Sequence, residues 1–230
     1  MKPYIISHMM VSVDGRIDCP MVAQISGEEY YTALDSFGTS SKLSGRVTAA
    51  LECTAVKEET TGYNDSKLKE ESVYKAIESK EYTIVVDTHG KLQMNSGEAD
   101  GHPILVIMSE NVPEEHLEML RKNNVSLIAT GKERIDLDRA MEILTEKFGV
   151  KQLILVGGGN INGGFLEAGL VNEVSIMIAP GIDGRKGETA VFDGCTWKGE
   201  SPYHLKLKSV EQVHGTEVIW ARYLCNSSTI

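Results

Sequence analysis

Residues 153–164 read Leu-Ile-Leu-Val-Gly-Gly-Gly-Asn-Ile-Asn-Gly-Gly, and no other stretch limits the fold so strongly. Leu153, Ile154, Leu155 and Val156 show no polar alternation, as expected of a strand covered on both faces. Gly157, Gly158 and Gly159 follow at once, and Phe165 to Leu170 then reads as a short helix. Glycine lets the backbone turn sharply and approach another molecule without a Cβ in the way. A helix N-terminus offers unpaired N–H groups and the positive end of its dipole, which suits a phosphate. Five glycines between 157 and 164 are more than a strand-to-helix turn needs.

At 230 residues the chain can bury a sizeable core. A net charge of −10 argues against nucleic acid as a partner, because phosphate backbones need a basic surface. An anionic small molecule is still allowed, since a pocket can be locally positive on an acidic protein. No run reaches about 18 apolar residues, so no membrane span is expected. The N-terminus enters a strand-like segment without a signal-cleavage pattern. Cys19, Cys53, Cys195 and Cys225 are widely spaced and read as reduced thiols, which points to the cytoplasm. The six histidines lack metal-ligand spacing, so no metal is expected.

Taken in order, Tyr4 to Val11 reads as a buried strand and Ser12-Val13-Asp14-Gly15-Arg16 as the turn leaving it. Ser26 and Glu29 fit a capping box before a helix carrying Tyr30, Tyr31, Leu34 and Phe37. A short strand is expected near Ser41 to Ser44, then a loop from Gly45 entering a helix through Glu52. Thr54 to Lys69 reads as a surface loop and Leu68 to Lys80 as a helix. Strands are expected at Tyr82–Asp87, Ile104–Met108 and Val125–Ala129, with Thr88-His89-Gly90 a turn after the first. Helices should begin at Pro113 and, capped by Asp136, run through Phe148. Glu173 to Pro180 reads as a strand, and Leu205–Val213 with Glu217–Leu224 as an antiparallel hairpin around His214-Gly215-Thr216. Strands alternating with helices give an α/β class: one central, mainly parallel sheet finished by a C-terminal antiparallel hairpin. Residues 1–225 are expected to be one domain and 226–230 a flexible tail.

Several motifs fail. Gly157-x-Gly159 lacks the third glycine of the dinucleotide fingerprint, which falls at Asn162, and no P-loop or nucleophile elbow is present. Phosphate-binding potential survives around Gly45, Thr88 and Gly158. Three such loops suit a dinucleotide better than a mononucleotide.

The segments PYIIS…VSVDGRI (3–17), IVVDT (84–88), LILVGGGNINGGFLEAGLVNEVSIMIAP (153–180) and Gly184 together carry a resemblance. The chain resembles the pyrimidine reductases of riboflavin biosynthesis, which have the dihydrofolate-reductase-like fold. The resemblance covers nearly the whole chain and implies a homodimeric, NADPH-dependent reductase. Its reaction would be hydride transfer to the ribosylamino sugar of a phosphorylated pyrimidine. It assigns cofactor contacts to Val11, to Gly45, Arg46 and Thr48, to Thr88, and to Gly158, Gly159, Asn160, Ile161, Asn162 and Gly163.

Departures fall on the substrate side. Where the family has a glutamate before the glycines, this chain has Val156. A segment bearing a substrate arginine is about ten residues short. After the G-x-x-T motif only Glu52 stands near an expected aspartate. Glu29, Glu52 and Val156 are therefore the candidate substrate residues, and no catalytic group is assigned. Two other readings follow from these losses: a reductase of the same fold acting on a pterin-like heterocycle, and a non-catalytic nucleotide-binding protein.

Overall fold

The computed structural model describes residues 1–17, 19–52, 56–58, 70–196 and 202–225. In chain order the elements are β1 (Tyr4–Val11), α1 (Cys19–Val22), α2 (Glu29–Asp35), β2 (Ser41–Gly45), α3 (Arg46–Glu52), β3 (Val56–Glu58) and β4 (Ser72–Tyr74). There follow β5 (Thr83–Val86), β6 (Leu92–Met94), β7 (Glu98–Ala99), β8 (His102–Met108), α4 (Glu114–Lys122), β9 (Ser126–Ala129) and α5 (Leu137–Phe148). The chain continues through β10 (Gln152–Gly157), α6 (Gly159–Glu167), β11 (Glu173–Ile178), β12 (Leu205–Gln212) and β13 (Ile219–Cys225). The chain divides into two compact units, Met1–Pro3 with Thr39–Leu153, and Tyr4–Gly38 with Ile154–Ile230.

In the first unit the strand order is β2-β5-β8-β9-β4. The pairs β2–β5, β5–β8 and β8–β9 are parallel, and β4 adds antiparallel to β9. Val85, Ile104, Val106, Met108, Leu127 and Ala129 meet Leu117 and Leu120 of α4 in one buried cluster. Such two-sided burial is why these strands read as unbroken apolar runs. Asp136 caps α5 as expected, accepting from Arg139 N at 3.0 Å, and Gly149 closes it at φ 70°.

Two expectations fail over residues 54–80. The helix expected over 68–80 is replaced, where described, by β4 and by irregular backbone up to Thr83. Pairing Ser72, Val73 and Tyr74 with Ala129, Ile128 and Leu127 outweighs local helix propensity. The loop expected at 54–69 contains β3, which pairs antiparallel with β6. The remainder of that loop lies outside the described residues, as does the tail 226–230.

The second unit has the order β12-β13-β11-β1, with β10 next to β1. β1 and β11 run parallel, Ile6 opposite Glu173 through Val11 opposite Ile178. β13 then pairs antiparallel with β11, and β12 with β13, giving the expected C-terminal hairpin. α2 lies on one face, where Leu34, Tyr30 and Phe37 pack on Ile6, Ile154 and Val156. The capping box does not form. Glu28 is the N-cap, Ser26 Oγ turns back to donate to Val22 O at 2.8 Å, and Glu29 accepts from Gly27 N at 2.6 Å.

Candidate functional site

β10 ends at Gly157, whose φ of 131° excludes side chains in practice, and the Gly157–Gly158 peptide is cis. The helix does not wait until Phe165. α6 starts at Gly159, with Gly158 as an extended N-cap whose carbonyl accepts from Ile161 N and Asn162 N at 3.0 and 3.1 Å. Gly158 brings no side chain to cap the first helical N–H groups, which leaves them to an outside acceptor. Asn160 is exposed, Ile161 and Gly158 are half-buried, and Asn162 is fully buried. Asn162 donates Nδ2 to Val191 O at 2.9 Å, while its Oδ1 is buried without a hydrogen-bond partner.

Two of the five glycines serve the chain itself. A Cβ on Gly159 would stand 2.3 Å from Ala190 O, and one on Gly163 would stand 1.9 Å from Asp193 O. These residues lie four apart on one helix face, so that face is a groove filled by the segment around Ala190 to Asp193. At Gly159 and Gly163, then, the missing Cβ makes room for the chain's own backbone.

Val11 ends β1 with its side chain buried among Met9, Ile17, Ile176, Ile178 and Val191, and its carbonyl accepts from Ala179 N at 2.8 Å. Beyond it, Asp14 accepts from Asp183 N, Gly184 N and Ser12 Oγ at 2.9, 3.0 and 2.8 Å. These donors, the Gly184 N–H foremost, hold the Asp14 carboxyl down to about 2. Asp14 thus ties the loop after β1 to the loop after β11. The sequence offered Asp14 only as a turn former.

In the first unit Gly45 closes β2, pairs with Val86 and passes straight into α3 without the expected loop. Arg46 opens α3 and Thr48 follows in its first turn, both half-buried. Thr88 sits in the turn after β5, its carbonyl accepting from Ser109 N and Ser109 Oγ at 3.1 and 2.7 Å. Asp87 Oδ2 accepts from Leu92 N at 2.7 Å, and Gly90 takes φ 63°. Because β2 and β5 are parallel neighbours, Gly45, Arg46 and Thr88 share one carboxyl edge, where open α/β sheets bind ligands.

Of the substrate candidates, Glu29 is engaged by Gly27 and Glu52 ends α3. Val156 is half-buried in the cluster under α2 and faces apolar neighbours. Close by lies a buried chain of hydrogen bonds. Trp220 Nε1 donates to Ser175 Oγ at 2.7 Å, and Ser175 Oγ lies 2.9 Å from His8 Nδ1. His8 stacks on Tyr30 at 4.8 Å, and burial pushes its pKa down to about 4. Reading the histidines for metal spacing missed this environment, because its partners lie on β11, β13 and α2. Among the described residues no group of three or more His, Cys, Asp or Glu could hold a metal, and no helix is long and apolar enough to cross a membrane.

The chain is 29% identical over 198 residues to a 2,5-diamino-6-ribosylamino-4(3H)-pyrimidinone 5′-phosphate reductase of Methanothermobacter thermautotrophicus, covering 84% of this chain and 85% of the relative. A protein of the same name from Aquifex aeolicus is 25% identical, covering 95% of each. Among solved structures, a pyrimidine reductase-like protein of Corynebacterium diphtheriae superposes with a TM-score of 0.71 at 15% identity, over 97% of this chain and 92% of the other. RibD of Acinetobacter baumannii gives 0.67 at 16% identity, over 98% of this chain and 58% of its own. These likenesses show the fold. The RibD C-terminal domain family matches residues 3–219, and this chain belongs to that family.

Proposed function

We propose that this protein is an NADPH-dependent reductase of the ribosylamino pyrimidine 5′-phosphate of riboflavin biosynthesis. The observation that carries the reading is the bare start of α6, where Gly158 leaves the first helical N–H groups uncapped. A pyrophosphate fits such a start. The names of relatives aligned over 84% and 95% of the chain support the substrate class.

NADPH would be held by Gly158, Gly159, Asn160, Ile161, Asn162 and Gly163 at α6, by Val11, by Gly45, Arg46 and Thr48, and by Thr88. Bound there, the cofactor would supply the hydride which, together with one proton drawn from solvent, turns the ribosylamino sugar into a ribitylamino chain. The task left to this chain is positioning and exclusion of water, because hydride transfer asks little else of side chains. Glu29, Glu52 and Val156 are assigned to the substrate side, Val156 as an apolar contact. Residues 1–225 act as one reductase domain with 226–230 as its tail, supported by a family match that runs through stretches of both units. The protein works in the cytoplasm as a homodimer. An exposed apolar face on the hairpin supports the homodimer.

The test is oxidation of NADPH and NADH by the purified protein with the pathway pyrimidine, with dihydrofolate, and with neither. The expected result is oxidation of NADPH matched by ribitylamino product. Turnover of dihydrofolate but not of the pyrimidine would move the function to the pterin-like reading. Nucleotide binding without oxidation on any acceptor would leave a non-catalytic protein.

A further inference from the structure

We infer that Asp193 is a positioning residue. It pins the segment 188–196 onto the glycine face of α6 and so sets where the first turn of that helix presents its N–H groups. The inference rests on the cofactor reading above, and it concerns a segment to which the sequence assigned no role.

The contacts run the length of the helix. Asp193 N donates to Gly159 O at 3.0 Å, and Asp193 Oδ2 accepts from Ala190 N at 2.9 Å, folding the segment into the compact shape that fits the groove. Asn162 Nδ2 donates to Val191 O at 2.9 Å, Cys195 Sγ to Gly163 O at 3.4 Å, and Thr196 Oγ1 to Glu167 Oε1 at 2.7 Å. Gly194, at φ 71°, passes so close that a Cβ there would stand 2.3 Å from Asn160 Oδ1. Gly159 and Gly163 admit the segment, and only glycine does so at these distances.

The other end of the same segment holds the loop after β1. Ile17 N donates to Thr189 O at 3.2 Å, Arg16 Nη1 donates to Glu188 O at 2.6 Å, and Val191 packs on Val11 and Ile17. One short stretch therefore grips both Val11 and the start of α6, two places given to the same cofactor. Asp193 is the side chain that shapes it, because its carboxylate and its own N–H bind in opposite directions, one to Ala190 and one to α6. The bond to Gly159 O comes from the backbone and survives substitution in principle. The bond to Ala190 N does not.

The experiment compares Asp193→Ala and Asp193→Asn with the unaltered protein. Asparagine keeps an oxygen to accept from Ala190 N, and alanine keeps none. Hydrogen exchange without any ligand reads the bonded amides at the start of α6, those of Ile161 and Asn162 on Gly158 O and of Asp193 on Gly159 O, and Asp193→Ala should speed their exchange while Asp193→Asn restores protection. Asp193→Ala should also raise KM for NADPH by about tenfold, the worth of one lost hydrogen bond. Its kcat and its KM for the pyrimidine should change little. Unchanged exchange at the first turn in Asp193→Ala overturns the inference, as does a common fall in kcat with a rise in both KM values. If the unaltered protein neither binds nor oxidises NADPH, the cofactor reading is what fails, and the exchange data alone then decide whether Asp193 positions the helix.

Discussion

Gly163 and Gly164 are neighbours in one helical turn with opposite surroundings. A Cβ on Gly163 would overlap Asp193 O, whereas nothing lies within 4 Å of one on Gly164. Glycine inside a helix costs about 1 kcal/mol against alanine, so α6 keeps Gly163 for the approach of its neighbour and Gly164 for no reason of space. Gly164→Ala should therefore stabilise the protein by about 0.5–1 kcal/mol. Gly163→Ala should destabilise it by about 1–3 kcal/mol, because backbone must move to relieve the overlap. Urea unfolding midpoints at unchanged slope would check this, and shifts of the same sign in both variants would refute it. At this scale the sequence showed the glycines but not their use. A ligand cradle and a close helix contact need the same residue type, and the nearest contacts that separate them are the backbone oxygens of Ala190 and Asp193, which any residue type would present.

Among the elements, α2 is held to its sheet by a directed chain of hydrogen bonds. Trp220 Nε1 can only donate, so Ser175 Oγ accepts from it; Tyr30 O can only accept, which calls for a proton on His8 Nε2 and leaves Nδ1 to take the Ser175 proton. The Nε2 proton faces Tyr30 O of α2 at 3.5 Å. Burial is the main cause of the lowered His8 pKa; the Tyr30 carbonyl opposes it and Arg222 adds to it. Above the ordinary histidine pKa, near 6.5, His8 is neutral folded and unfolded, and stability does not depend on it. As pH falls from there to about 4 the unfolded chain takes up a proton that the folded one refuses. Stability should fall across that window by about 3 kcal/mol. Thermal unfolding between pH 7 and 4 should therefore decline less steeply in His8→Gln than in the unaltered protein, and parallel curves would exclude the effect. The strands that build this arrangement were readable as apolar runs, β1 and the hairpin to within a residue or two. α2 was placed well but its capping was not, because Ser26 and Glu29 found nearer partners in Val22 and Gly27. The stretch at 68–80 misled for a related reason: pairing with β9, remote in sequence, decided its form.

At the scale of the whole molecule the hairpin carries the surface on which the proposed homodimer can be tested. The register of β12 on β13 shifts between Leu207 and Ser209. That shift brings Val210 onto the face that already carries Leu205 and Leu207, opposite Ala221, Tyr223 and Cys225 of β13. Leu205, Leu207, Val210 and Ile219 are left 41%, 54%, 58% and 38% exposed on that one face. Scattered exposed aliphatics are ordinary, but a contiguous set on one face marks an interaction surface. A two-fold dimer presents the same patch from both partners, and an apolar patch is complementary to itself. Lys208 escapes to the opposite face, where it pairs with the buried Glu173, so no charge interrupts the apolar set. Leu207→Glu with Val210→Glu should make the protein sediment as a monomer while the pairing of β12 on β13 persists, since both side chains already face solvent in the single chain. Leu51→Glu, on the exposed side of α3 and 81% exposed, should leave the dimer intact. A dimer that survives both hairpin substitutions would place the interface elsewhere. A protein that sediments as a monomer without any substitution would remove the dimer altogether and leave the reductase reading untouched.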